Sequence, residues 1–144
     1  MKRILMMMSM ALSLAVMAGC DPVEPQTVLQ SFEVSVDATT RTSVTYSVTP
    51  ALTDKEYVAV VMAAADVNLA DEDAVLAQAV AQIKDDAAHS GQTFDERMQK
   101  IAVKGAIAKK EATGLALDTD YILVVFGVDP ANAWENTTFP AVKE

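Results

Sequence analysis

Apolar residues follow one rhythm at each end of this chain and a different one in the middle. Phe32, Val34 and Val36 alternate with Glu33, Ser35 and Asp37, and Val44, Tyr46 and Val48 alternate with Ser43, Thr45 and Ser47. A period of two predicts two half-buried strands, each with one face in a core and one in water. Ala38-Thr39-Thr40 connects them and Pro50 ends the second. Tyr57–Met62 is apolar throughout, which predicts a strand covered on both faces. The rhythm then changes. From Asp71 to Ala88 the apolar positions are Val75, Leu76, Ala79, Val80, Ile83 and Ala87, the spacing of one helical face. Asp71, Glu72 and Asp73 put carboxylates where the helix dipole favours them, and Gly91 suits a left-handed terminator. Thr93-Phe94-Asp95-Glu96 reads as the capping box of a second helix running to about Lys100. Residues Ile101–Glu111 return to a strand pattern with a bend at Gly105. An apolar strand follows at Ile122–Val128, then a turn-rich loop at Asp129–Asn136 and a final strand at Thr137–Val142.

The first residues have another composition. Lys2 and Arg3 precede an apolar run from Ile4 to Ala18, interrupted by Ser9 and Ser13 and closed by Ala18-Gly19. This is the layout of a secretory signal over residues 1–19, and the run is shorter than the roughly 20 residues a membrane span needs. Cys20, the single cysteine, comes next and has no second thiol to pair with. Pro22 and Pro25 stand among acids in Asp21–Gln26, which reads as a short extended tether. Residues 20–27 are therefore expected to be the cysteine and tether, and residues 28–144 one folded domain. The whole chain carries a net charge of −9. Without Lys2 and Arg3, nine basic residues face 20 acidic ones, a net charge of −11. Such a surface suits solubility and makes nucleic acid a poor partner.

The stretch Val16-Met17-Ala18-Gly19-Cys20 resembles the bacterial lipobox, with Met17 where leucine is usual. The resemblance implies cleavage before Cys20, a diacylglyceryl thioether on its sulfur and, usually, acylation of the new amino group. A thiolate is the right nucleophile for that transfer, and two or more acyl chains anchor a protein stably. Asp21 just after the cysteine fits two rules. In enterobacterial lipoproteins it is associated with inner-membrane retention. In lipoproteins of Bacteroidota, acidic residues such as Asp21 and Glu24 are associated with surface export.

The segment Gly114-Leu115-Ala116-Leu117-Asp118-Thr119-Asp120-Tyr121, followed by Ile122–Val128, resembles the end of a fibronectin type III domain. The matching positions are Leu115, Thr119 and Tyr121, and Leu117 stands where that family has proline. The resemblance implies a tyrosine corner, with the Tyr121 ring in the core and its hydroxyl bonded to backbone upstream. By order of strands it extends over residues 28–142. Two departures stand out: a helical insert over residues 68–100, and Tyr46 in place of the core tryptophan of the second strand. Modules with such an insert and a Gly-Val-Asp turn, here Gly127-Val128-Asp129, are similar to those in Bacteroidota lipoproteins. This points to the outer membrane or cell surface rather than the inner membrane.

A search for chemistry returns little. His89, the single histidine, sits where a cation favours a helix C-terminus, and Ser90 beside it does not supply a catalytic geometry. There is no His/Cys cluster for a transition metal. Asp71, Glu72 and Asp73 lack the glycine and distal glutamate of a calcium loop, and the five glycines form no phosphate loop. With 20 acids, some carboxylate pairs fall at glycosidase spacing by chance. Trp134, flanked by Asn132 and Asn136, has two readings. It is a stacking surface for a sugar or peptide, or it packs back onto the sandwich edge, the reading that the usual burial of large aromatics favours.

The expected fold is mainly β: a fibronectin type III/Ig-like antiparallel sandwich with an α-helical insertion between its third and fourth strands. The expected function is a lipid-anchored, non-catalytic binding or assembly module of the bacterial envelope, with no cofactor or metal. It is held to a membrane through Cys20, and Trp134, Asn132 and Asn136 are candidate contacts for a protein or glycan. A hydrolase or hydrolase accessory acting on extracellular glycan or protein is the alternative from another class, and a purely structural envelope lipoprotein is a third.

Overall fold

Strand β5, Tyr121–Asp129, has no wet face: each residue from Ile122 to Val128 is buried. A strand of that kind needs a layer on each side. The structure, a computed structural model that describes residues 30–144, supplies both. The signal, Cys20 and the tether lie outside the described residues.

On one side lies an antiparallel sheet of β1 (Phe32–Thr39), β2 (Ser43–Pro50) and β4 (Ile107–Thr113), in the order β1-β2-β4. The second sheet holds β3 (Tyr57–Ala63), paired antiparallel with β5 along its whole length. Beyond β5 come two short strands, β6 (Glu135–Asn136) and β7 (Ala141–Lys143). Tyr57, Leu123 and Val125 of the second sheet meet Tyr46 and Val48 of the first, with Phe32, Val34, Ile107 and Ala112 half-buried around them. On the other side, Val58, Val60, Met62, Ile122, Val124, Phe126 and Val128 pack on two helices. The molecule is thus sheet, sheet and helices, with β3 and β5 in the middle layer. Residues alternate along each strand of that layer between the two cores, as the pleat requires.

The helices, α1 (Glu72–His89) and α2 (Phe94–Ile101), follow β3 and precede β4. Asp71 caps α1, its carboxylate accepting the N–H groups of Asp73 and Ala74 at 3.1 and 3.2 Å. The N–H groups of Gly91 and Gln92 donate to Ala88 and Ala87, closing the helix with Gly91 at φ +66° in a Schellman motif. Val75, Leu76, Ala79, Ile83 and Ala87 form its buried face. At α2, the Thr93 hydroxyl accepts from Glu96 N–H while the Glu96 carboxylate accepts from Thr93 N–H. The Thr93 N–H and the Thr93 hydroxyl, both donating to the Glu96 carboxylate, hold it below the usual glutamate range. The helix takes Ile101, which the sequence pattern places at the start of a strand. Val103 makes only a bridge to Tyr57, and β4 starts after the left-handed bend at Gly105.

Tyr57 ties the layers together. Its backbone exchanges bonds with Val103 at 3.0 and 2.9 Å, its hydroxyl donates to the Gly105 carbonyl at 2.7 Å, and its ring lies 5.1 Å from that of Phe32. The edge strands are irregular. Asp37 bulges out of β1, and Ser47 of β2 faces a second bulge in β4 where Lys109 has φ +50°. The Ser47 hydroxyl serves both, donating to the Asp37 carboxylate and accepting Lys109 N–H at 3.0 Å.

Two outcomes test this architecture. A Cβ on Gly127 would stand 2.5 Å from Thr137 Oγ1 and 3.0 Å from Thr138 Cγ2. Gly127→Ala should therefore cost about 1–3 kcal/mol in urea unfolding, and Thr137→Ala in the same chain should recover part of it. Burial, followed by the neighbouring Tyr46, pushes the Tyr57 hydroxyl up to about 12 from the ordinary 10.0. A folded-state pKa above the unfolded one gives stability that is complete below pH 10 and lost as pH rises towards 12. Urea midpoints should fall across that window, and Tyr57→Phe should flatten the fall.

Candidate functional site

The connection from β5 to β7 is built by local polar bonds. The Asp129 carboxylate accepts Ala131 N–H at 2.9 Å, opening a single 3-10 turn over Pro130–Asn132. Ala133 and Trp134 then adopt left-handed φ values of +52° and +61°. Two consecutive side-chain-bearing residues in that region are uncommon and need a compensating gain. Trp134 supplies it. Its N–H donates to the Asp129 carbonyl at 2.9 Å, and its half-buried indole packs against the helix-side core.

The three candidate contacts are not brought together. Trp134 faces the core, the Asn132 amide donates to the Glu135 carboxylate, and Asn136 sits exposed on β6 opposite Val128. The indole face offered to a ligand in the sequence reading is turned inward in part, towards the helices.

The strand expected over Thr137–Val142 is broken. Thr137 N–H donates to the Gly127 carbonyl at 2.8 Å, and the Thr138 hydroxyl accepts Gly127 N–H at 3.0 Å. These bonds satisfy β5 where neither β6 nor β7 pairs with it. The chain then turns outward at Phe139-Pro140 before Ala141 starts β7. Proline removes a ladder donor, which is why pairing stops there. Phe139 is left 71% exposed.

Beside it opens a cleft of about 570 Å³ between the β6–β7 segment, the start of β1 and the first turns of α1. Phe32, Leu76, Phe139 and Pro140 give it apolar walls, and Asp73 is its single charged residue. Gln30, the first described residue, also lines it. The cleft had no motif to announce it. The signal available was Pro140 after an aromatic, which marks the break in the strand.

At the opposite end of β5, the Tyr121 hydroxyl accepts Ala116 N–H at 2.8 Å, and the Thr119 hydroxyl donates to the Leu117 carbonyl at 3.1 Å. Leu115 N–H donates to Thr42, tying this corner to the β1–β2 turn. The Tyr121 ring does not enter the core as expected. It is half-buried and lines a second cleft, of about 350 Å³, and Leu117 points into water. The inward positions on this side of β5 are taken by Leu123 and Val125, so the ring at the strand's end covers an edge.

His89 is exposed at the end of α1, with Nδ1 2.9 Å from the Asp85 carbonyl and 3.4 Å from its carboxylate. No group of three or more His, Cys, Asp or Glu among the described residues is placed to hold a metal ion. No helix among them is long and apolar enough to cross a membrane. Compared with protein-family models, curated proteins and solved structures, the chain gives no match.

The Trp134 geometry gives a measurable expectation. Trp134→Ala removes a half-buried aromatic from the helix-side core and should lower stability by about 2 kcal/mol, below the loss for a fully buried one. Urea unfolding measures it; a loss under about 0.5 kcal/mol would show that the indole is no part of the core.

Proposed function

We propose that this chain is a lipid-anchored, non-catalytic binding or assembly module of the bacterial cell envelope, at the outer membrane or cell surface. The observation that carries the reading is the setting of Cys20. A basic start, an apolar run and small residues lead to a lone thiol, and an acidic, proline-containing tether follows it. The net charge of −11 after cleavage suits a domain held in water beside a membrane.

The finer fold assignment belongs to the same proposal. The strand orders β1-β2-β4 and β3-β5-β7, together with the bond from Ala116 to the Tyr121 hydroxyl, support a fibronectin type III-like sandwich. The two helices between β3 and β4 are then its insertion. The cleft beside Phe139 has apolar walls and one carboxylate, which suits surface contact better than proton transfer. Display is the mechanism: a scaffold with two cores holds the loops at either end of β5 in place.

Metabolic labelling with a fatty-acid probe in a bacterial host tests the anchor. The parent should take up label and fractionate with membranes, and Cys20→Ala should do neither. Equal labelling of both would overturn the reading.

A further inference from the structure

The first described residue and the apolar cleft lie at one end of the domain. Gln30, where the chain enters the fold, lines the same cleft as Phe139 and Pro140. Phe139 at 71% exposure and Val142 at 40% are two of the four exposed large hydrophobic residues of the described chain, three positions apart in one segment. The cleft carries Asp73 as its single charged residue, in a chain with 20 acidic residues. Lys143 and Glu144 lie away from it, in the second cleft with Tyr121. The cleft itself is therefore poor in charge and bordered by exposed apolar surface, whereas the neighbouring cleft that Gln30 also lines carries Asp54, Lys55, Glu56, Lys104 and Asp129.

Nine residues lie between Cys20 and Gln30, which makes ten Cα–Cα steps. Fully extended they reach at most about 33–36 Å. A domain of this size has a radius of gyration of about 13 Å and is roughly 35 Å across. An anchor at Cys20 thus keeps the entry end within about one domain diameter of the lipid at all times. Repeated encounters favour whatever on that end prefers the headgroup–acyl boundary, and exposed aromatic residues do.

We propose that the Phe139 rim is a membrane-contact surface, with the Phe139 ring entering the interface of an electrically neutral bilayer and Pro140 and Val142 against the headgroups. The proposal rests on the anchor reading of Cys20 and adds an orientation to it. With the entry end facing lipid, the Tyr121 end of β5 faces away, leaving the loop at Leu115–Asp120 and the β1–β2 turn as the surface displayed outward.

The test uses the chain from Cys20 onward, coupled through its one thiol to a maleimide lipid in phosphatidylcholine vesicles. Trp134 is the single tryptophan, and its emission is the baseline. Phe139→Trp adds a second emitter at the rim, and Glu111→Trp adds one on β4, in the outer sheet. With bromine-labelled acyl chains, the emission added at position 139 should be quenched at least twofold more than that added at position 111, and should shift to the blue. Equal quenching at the two positions, or none at 139, overturns the proposal. A protein or peptide that protects position 139 from aqueous quencher while the bilayer does not also overturns it. Because the coupling is chemical, these outcomes do not depend on acylation of Cys20, whose failure is read separately from the fatty-acid label.

Discussion

The two-sided burial of β5 is the constraint on which the rest of this structure depends. A strand with seven buried residues in a row has no surface to give to water, so a sheet must close one face and another layer the opposite one. Full burial of a single large aliphatic or aromatic side chain is worth about 1.5–3 kcal/mol. Exposing the face made by Ile122, Val124, Phe126 and Val128 would forfeit several such terms together, so the helices act as structural cover and not as an appendage. Their caps fix where they start and stop: Asp71 and Gly91 for α1, and the Thr93–Glu96 pair for α2.

Much of this was legible in the chain because burial on one face or on two leaves different traces. Alternation at Phe32–Val36 and Val44–Val48 marks a sheet with a wet side, and the unbroken run at Ile122–Val128 marks a middle layer. The caps are chemical signals at fixed offsets and placed both helices within a residue or two. The errors lie where tertiary contacts overrule pattern. Ile101 and Val103 alternate like a strand, but the pairing of Val103 with Tyr57 needs a long crossover that no local rhythm encodes. Thr137–Val142 reads as one strand because Phe139 is apolar. The hydroxyl bonds of Thr138 and the missing donor of Pro140 divide it.

The candidate site was legible only in pieces. Trp134 stood out by its type, and its half-buried place against the core follows from the ordinary behaviour of large aromatics. The separation of Trp134, Asn132 and Asn136 was not visible, because it depends on two left-handed residues that carry no glycine to flag them. Phe139 gave no sign of exposure at all. An aromatic in a strand-like stretch looks like core until the neighbouring strands are shown to be full.

The bulges joined by Ser47 bear on how crowded copies of this domain coexist. Open sheet edges are templates for joining with another chain. Here the outer rim of β1 is interrupted at Asp37 and that of β4 at Lys109, with the Asp37 carboxylate and the Lys109 backbone N–H both bonded to one hydroxyl of the strand between them. A second chain approaching either rim finds its hydrogen-bonding ladder out of step after a few residues. One serine thereby helps keep both rims of the outer sheet from joining a neighbouring chain.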